Sequence, residues 1–568
     1  MFRIKSQLTL KNSKMFFVLF QLIIVFFIGV STKIVNSNNG KIEGYKTQTI
    51  TGKDFYAFEG IPYAEPPIGE NRFEEPIPKK SWNGTWVANN LYTCLQLYHS
   101  PDTENYPVIG DEDCLYLNVY TPIDLNVTKK DLYNVIVFIH GGAFMFNSGG
   151  TYGPKYILER ENIIYVSLNY RLGPLGFLST QDEVQPGNLG IKDQILALKW
   201  IKSNIKFFNG NSNSITLTGM SAGGASVHLH YMSQLSKGLF NRGIAQSGTA
   251  LNPWVLAENS KQKAFKLGEI LGCSTSKSFE LIQCLKSRNS YQIVQAVKHF
   301  QKFLYNPISP FGVVIDGLWS KTPVLSDHPY TLLKNGQIED LPLIFSQVGA
   351  EGLYPGADFL RNHSLKHLGE NLNLLLPYIL EYKDTADAND LDGVTQKIRN
   401  FYLGEKKLSE ETFSLLIKMI SDRLFIVDIE KSVKLHSKNS NSSVYYYIFN
   451  YRGAKSKSEL RTGPNFNFGV SHADDTVYVL YSNLDMRSNE MDEKMSQLFL
   501  DMWLNFANIG NPNIANVDWI PMDKNLESNL KYLYIESPEI IGMKENGTLG
   551  NSEFWNSLNI KENERLNV

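Results

Sequence analysis

The tightest constraint on this chain lies at residues 214–228, where a short β-prone run meets small residues able to begin a helix. At the junction stands Gly219-Met220-Ser221-Ala222-Gly223, the pattern G-x-S-x-G. A strand turning sharply into a helix brings backbone segments too close for a Cβ, so glycines flank the turn. The central serine is forced into a strained conformation that exposes its hydroxyl. Ser221 is therefore the candidate nucleophile. The competing reading is a plain Gly/Ser turn, because the bare pattern recurs by chance in long chains.

A serine hydroxyl is a weak nucleophile until a base takes its proton, and that base needs a carboxylate to hold its tautomer. In a strand-turn-helix setting the partners follow in the order acid, then histidine. Glu351 comes after the apolar strand pattern of residues 341–346, in a glycine-flanked turn, and is the candidate acid. Four histidines follow it. His363 and His367 flank a sequon at a helix start and His436 sits in a Ser/Asn-rich stretch, so all three read as solvated. His472, on the small-residue loop Gly469-Val-Ser-His472, is the candidate base. The charge formed when Ser221 attacks a carbonyl needs donors fixed in advance. The amide of Ala222 and those of the His140-Gly-Gly-Ala143 turn can supply them, each worth about 10²- to 10³-fold in rate. His228 and His230, two apart, face different ways on a helix and read as structural. No metal and no cofactor is expected.

Continuous apolar runs at residues 135–139 and 163–168 suit parallel strands covered on both faces. Residues 191–207 carry apolar side chains at helical spacing, and the elbow strand, its helix and a strand at 242–248 come next. Alternating strand and helix implies a parallel sheet with right-handed crossovers and ligands beyond the carboxyl ends of the strands. Further strands are expected at 341–346 and 444–449, and helices over 259–304, 365–421 and 491–506. Residues 436–443 read as a polar surface loop. No linker divides residues 31–568, which read as one domain with long insertions.

A chain of 568 residues with 43% hydrophobic content has material for a large core. The formal charge of −2 gives no electrostatic reason to expect nucleic acid or an anionic membrane as partner, and suggests a neutral, small substrate. Arg3, Lys5, Lys11 and Lys14 precede sixteen uncharged, mostly apolar residues, 15–30. This reads as a signal peptide over residues 1–30, cleaved between Gly29 and Asn39; the apolar run falls short of the roughly 20 residues of a stable membrane anchor. The C-terminus carries neither a retention tetrapeptide nor an apolar tail, so the expectation is secretion. Cys94, Cys114, Cys273 and Cys284 allow three connectivities. Local pairing closes two short loops, each worth about 3 kcal/mol in the chain-entropy model. Sequons at Asn83, Asn126, Asn362, Asn441 and Asn546 fit a glycoprotein.

The motifs taken together resemble the type B carboxylesterases, the family that includes cholinesterases and insect carboxylesterases. The resemblance rests on Glu112-Asp-Cys-Leu-Tyr-Leu-Asn-Val119, Asn169-Tyr-Arg171, Gly187-Asn-Leu-Gly190, Lys192-Asp-Gln194, Gly219-Met-Ser-Ala-Gly-Gly224, Gln246-Ser-Gly248 and Gly469-Val-Ser-His472, in the family's order. It spans nearly the whole chain after residue 30 and is greatest toward secreted insect carboxylesterases of the aphid esterase type. It implies an α/β-hydrolase fold, a central mostly parallel sheet with helices on both faces, and hydrolysis of small neutral carboxylic esters through an acyl-serine. Ser221, Glu351 and His472 match the family's triad; Gly142, Ala143 and Ala222 match its oxyanion donors, with alanine in place of the commoner third glycine. The resemblance also implies Trp254 in an acyl pocket, disulfides Cys94 with Cys114 and Cys273 with Cys284, and ion pairs Arg72 with Glu112 and Arg171 with Asp193. Met220 stands where cholinesterases carry glutamate, and no tryptophan lies between Cys94 and Cys114, so little is left to hold a quaternary ammonium. The alternative is a non-catalytic adhesion or binding protein, as in members that lost the nucleophile.

Overall fold

Residues 133–139, Tyr-Asn-Val-Ile-Val-Phe-Ile, show why the centre of this molecule is a sheet covered on both sides. Successive side chains of a strand point to opposite faces. Val135, Val137 and Ile139 enter one apolar cluster while Ile136 and Phe138 enter another. The first cluster holds the helix Leu189–Asn204 and the helix Ala222–Met232; the second holds Met495, Phe499 and Trp503 of the helix Glu490–Ile509. The structure, a computed structural model, describes residues 32–99, 107–123, 132–160, 162–361, 363–462, 467–482, 485–514 and 517–564. The expected signal peptide and the sequons at Asn126 and Asn362 lie outside the described residues. Asn83, Asn441 and Asn546 are exposed.

In chain order the strands are β1 (Thr32–Ser37), β2 (Gly40–Gln48), β3 (Asp54–Pro62), β4 (Thr85–Val87), β5 (Gln96–Leu97), β6 (Val108–Ile109) and β7 (Tyr116–Pro122). There follow β8 (Tyr133–Ile139), β9 (Ile163–Leu168), β10 (Gly210–Met220), β11 (Arg242–Gln246), β12 (Leu343–Val348), β13 (Val444–Phe449), β14 (Leu530–Ile535) and β15 (Ile541–Asn546). Among the described residues, all but the β5–β6 pair form one sheet of 13 strands, ordered β1-β2-β3-β7-β9-β8-β10-β11-β12-β13-β14-β15 with β4 beside β2. From β9 to β14 every neighbouring pair is parallel. Antiparallel strands extend both edges. No described helix is long and apolar enough to cross a membrane.

The polar stretch after residue 436 departs from expectation. A helix runs over Val427–Asn439, and His436 is fully buried on it rather than solvated. Its ring meets Phe345 and Tyr231, and its Nδ1 lies 3.3 Å from His228 Nε2. Burial holds His436 down at about 3, so it stays neutral in the core. The loop-like composition of this segment comes from its outer side and its end, where Lys438 and Asn441 are exposed.

Two buried arginines position the segments around the sheet's carboxyl ends. Arg72 forks onto both oxygens of Glu112 at 2.6 Å, and its Nη1 donates to the carbonyls of Leu285, Lys286 and Arg288. One guanidinium therefore joins the loop closed by the Cys94–Cys114 disulfide to the helix that ends the Cys273–Cys284 loop. Arg171 donates through its main chain, Nε and Nη2 to Asp193 at 3.0, 2.8 and 2.7 Å, and Asp193 is fully buried. Removing one partner of such a pair leaves a bare charge in the core, at a cost of about 3–5 kcal/mol. Asp193→Ala is expected to lower the urea midpoint by a corresponding amount; an unshifted midpoint would mean that the pair carries no structural weight.

Candidate active site

Strand β10 hydrogen-bonds to β8 on one side and β11 on the other up to Met220, and the chain then reverses into the helix Ala222–Met232. Ser221 sits at the reversal with φ 60° and ψ −122°, a conformation that costs a non-glycine residue about 1–3 kcal/mol. The surroundings hold it there. Its N–H donates to the Gln246 carbonyl at 2.8 Å, and its carbonyl accepts from the Ala225 N–H at 2.8 Å. A Cβ on Gly219 would lie 2.3 Å from the Gly223 carbonyl oxygen, and one on Gly223 would lie 2.0 Å from that of Ile139. Neither position has room for a side chain. The strained turn thus follows from backbone contact.

Glu351 follows β12 and is fully buried. Its Oε1 accepts from the Val348 N–H at 2.9 Å, and its Oε2 lies 2.5 Å from His472 Nδ1. Tyr354 stacks on the imidazole at 5.6 Å between centroids, and Phe425 meets it at 4.7 Å with its ring tilted by 43°. His472 Nε2 has no hydrogen-bond partner among the described residues, and the ring lines the same cavity as Ser221. Both carboxylates next to the histidine in sequence are engaged elsewhere. Asp474 accepts from Ser456 Oγ and from the N–H groups of Lys457 and Ser471, and burial pushes its carboxyl up to about 6. Asp475 accepts from Gln246 Nε2, the Tyr447 hydroxyl and the Thr476 N–H.

Behind β8 the chain enters a tight turn in which the Gly142 carbonyl accepts from the N–H groups of Met145 and Phe146, at 2.8 and 3.1 Å. Gly142 has φ 113°, where any side chain is strained, and Ala143 and Phe144 follow at 52° and 59°. Successive amides in such conformations converge on one point and make an anion-binding concavity. The amides of Gly142, Ala143 and Ala222 donate to no acceptor among the described residues. Residues 140–144 abut the elbow directly: a Cβ on Gly141 would lie 2.4 Å from the Met220 carbonyl oxygen. His140 is buried, stacked on Tyr170, and held down at about 4 by burial.

The cavity that Ser221, His472 and Gly142 share measures about 290 Å³. Aromatic and apolar walls come from Tyr98, Phe146, Tyr152, Met220, Tyr354 and Leu460. Trp254 is not among the lining residues: its indole N–H donates to the Leu424 carbonyl at 2.8 Å, and its ring neighbours those of Phe144 and Phe425. The rest of the wall escaped the sequence reading. Asp358, Arg361, Lys457 and Arg461 line the cavity, so its local charge is cationic although the chain's total is −2. His99 lines it as well. These residues lie far apart in sequence and share no motif, so nothing in the residue pattern marks them. His228 and His230 lie outside the cavity with both ring nitrogens engaged. A larger groove of about 510 Å³ contains none of the residues around Ser221.

Comparison with known proteins gives a consistent picture. The profile of the Carboxylesterase family matches residues 31–555. Venom carboxylesterase-6 of Apis mellifera is 40% identical over 93% of this chain and 95% of its own length. Esterase E4 of Myzus persicae is 39% identical over 92% of this chain and 95% of its own. Among solved structures, juvenile hormone esterase from Manduca sexta with OTFP covalently attached superposes with a TM-score of 0.80 at 25% identity, covering 93% of this chain and 99% of that one.

The contact between Glu351 and His472 generates a test. Glutamine at 351 preserves shape but offers its amide group to the imidazole, favouring the wrong tautomer for a base facing Ser221. Glu351→Gln is expected to leave circular dichroism unchanged and to cut kcat by roughly 10⁴, the cost of the equivalent change in serine proteases. Near-full turnover would remove Glu351 from the site.

Proposed function

The chain belongs to the carboxylesterase family, and from that premise we propose that it hydrolyses carboxylic esters through an acyl-serine formed on Ser221. Catalysis of ester hydrolysis is the family's shared chemistry; the division of labour among these residues is the proposal. Ser221 Oγ attacks the ester carbonyl while His472 Nε2 takes its proton, and the amides of Gly142, Ala143 and Ala222 receive the developing oxyanion. His472 then returns the proton to the leaving alcohol, and Glu351 stabilises the imidazolium in between. Water, activated by the same histidine, releases the acid. The observation that carries this reading is an imidazole anchored to a buried carboxylate at 2.5 Å on one nitrogen and without a partner on the other among the described residues, in one cavity with a serine held in a strained turn. No observation favours the non-catalytic adhesion alternative.

An organophosphate is expected to label the protein once, at Ser221, with loss of activity toward 4-nitrophenyl butyrate, and Ser221→Ala is expected to lose on the order of 10⁶ in kcat. A stoichiometric label on another residue, or turnover surviving in Ser221→Ala, would overturn the assignment.

We further propose that residues 1–30 are a signal peptide and that one catalytic domain begins at residue 31. The profile match over 31–555 supports the extent of the domain, and two disulfides and three exposed sequons support export. Expressed in insect cells, the protein is expected in the medium, N-glycosylated, with a first residue between Gly29 and Asn39. Retention in the cell with an intact N-terminus would contradict this.

A further inference from the structure

The wall of the cavity opposite in character to its apolar lining is assembled from three distant segments. The helix Ser364–Glu370 is preceded by Asp358 and Arg361, the segment after β13 brings Lys457 and Arg461, and the first disulfide loop brings His99. Their pairing is uneven. Arg461 donates to Asp358, which also accepts from the Tyr305 hydroxyl, and its guanidinium lies over the Tyr354 ring at 5.0 Å. One cation is thereby matched by one carboxylate. Arg361 donates only to main-chain carbonyls, those of Leu460 and Arg461, and forms no ion pair among the described residues. Lys457 Nζ reaches Ser482 Oγ at 3.2 Å and lies over Tyr152 at 5.6 Å, again without an ion pair among the described residues. The Asp474 carboxylate behind it accepts the Lys457 main-chain N–H. Counting Asp474 as well, three cations face two carboxylates among the described residues.

Burial holds the Lys457 ammonium down at about 8 although the Asp474 carboxylate favours its charge, so it remains charged at neutral pH, incompletely hydrated and with no ion pair among the described residues. An unpaired buried charge is costly unless something binds it. His99 adds a second, independent element. It is 3% exposed and borders the cavity, its Nδ1 lies 3.0 Å from the Tyr354 hydroxyl, and its Nε2 has no hydrogen-bond partner among the described residues. Burial holds this imidazole down at about 3, so it is neutral; when Tyr354 donates to Nδ1, the proton sits on Nε2 as a further donor. Asp358 Oδ1 also lacks a donor among the described residues, but the charge of that carboxylate is already met by Arg461.

We propose that this wall is a recognition site for an acidic group, so that the preferred substrates are carboxylic esters carrying a second, ionised carboxylate or a comparable oxyanion, held by Lys457 and Arg361 with His99 as neutral donor. The inference rests on the reading of Ser221 as nucleophile only for its location beside the reacting ester. It replaces the neutral substrate suggested by the chain's total charge. A cavity of about 290 Å³ leaves room for a compact body, near the small end of the roughly 300–1,000 Å³ usual for ligand sites. The second acid can belong to the acyl part or to the alcohol part of the ester, and the assay separates the two.

The test compares matched esters: 4-nitrophenyl hemisuccinate against 4-nitrophenyl butyrate for an acid on the acyl side, and 4-acetoxybenzoate against 4-acetoxybenzamide for an acid on the alcohol side. In one pair the anionic member is expected to have the higher kcat/KM by about tenfold or more, in line with charge-assisted hydrogen bonds. Lys457→Met and Arg361→Met are each expected to reduce that ratio by about tenfold, and Lys457→Arg to retain most of it. Binding of 4-acetoxybenzoate, 4-nitrobenzoate and succinate to the Ser221→Ala protein, followed by calorimetry, reads the same wall without turnover. If that protein binds 4-acetoxybenzoate in preference to 4-acetoxybenzamide while the unmutated protein hydrolyses none of the four esters, the nucleophile is at fault and the anion site stands. Ratios at or below one in both pairs, a preference for (4-acetoxyphenyl)trimethylammonium, or a ratio unmoved by both methionine variants would overturn the proposal.

Discussion

Everything around Ser221 depends on one steric fact: the backbone of the elbow touches the backbone at the end of β8. Gly223 lies so close to the Ile139 carbonyl that a Cβ would come within 2.0 Å of its oxygen, and one on Gly141 would come within 2.4 Å of that of Met220. Strand β8 and the elbow strand β10 are sheet neighbours, so the sheet itself brings these two turns side by side. The consequence is chemical. The distance between the serine and the turn bearing the free amides is set by contact between main chains, the least compressible part of the molecule, and not by flexible side chains. That is the kind of preorganisation on which oxyanion stabilisation relies.

Gln246 carries the same logic to the base. Its carbonyl accepts the Ser221 N–H, while its side chain donates to Asp475 and to the Tyr447 hydroxyl. Asp475 in turn accepts the Thr476 N–H in the loop that presents His472. One residue at the end of β11 is thus bonded to the elbow by its main chain and to the histidine loop by its side chain. Farther out, the Arg72 and Arg171 clusters do comparable work. Buried ion pairs contribute little net stability against an apolar alternative, because desolvation offsets attraction. What they supply here is location: Arg72 joins the two disulfide loops, and the Arg171 carbonyl packs where Gly176 and Gly190 leave no room for a Cβ.

Much of this was legible in the residues, for a physical reason. Strands β8, β9, β12 and β13 are buried on both faces and show as continuous apolar runs, and the elbow glycines are demanded locally. The edge strands β1 and β15 were not legible, because one side of an edge is wet and its pattern is mixed: Ile541–Asn546 has no fully buried residue. Strand β7 escaped for a different reason. It is buried throughout, but Asn118 and Thr121 sit among its apolar residues, their polar groups bonded to Gly60, Ser167, Pro122 and Phe208. His436 misled the reading in the same way, since a neutral, hydrogen-bonded core histidine has no sequence signature to separate it from a solvated one.

The charged wall of the cavity marks a further limit, set by range. The elbow, the turn after β8 and the loop of His472 are each short segments whose function is written in consecutive residues. The wall exists only after folding brings residues 98–99, 358–361 and 457–461 together. Total charge says nothing about such a place, because a field is focused by low-dielectric walls and falls away beyond them. A nearly neutral chain can therefore hold, at one surface of its cavity, two cations that form no ion pair among the described residues. Reaction type and substrate preference are consequently encoded at different ranges: the first in local backbone geometry, the second in side chains that meet only through the long connections between strands.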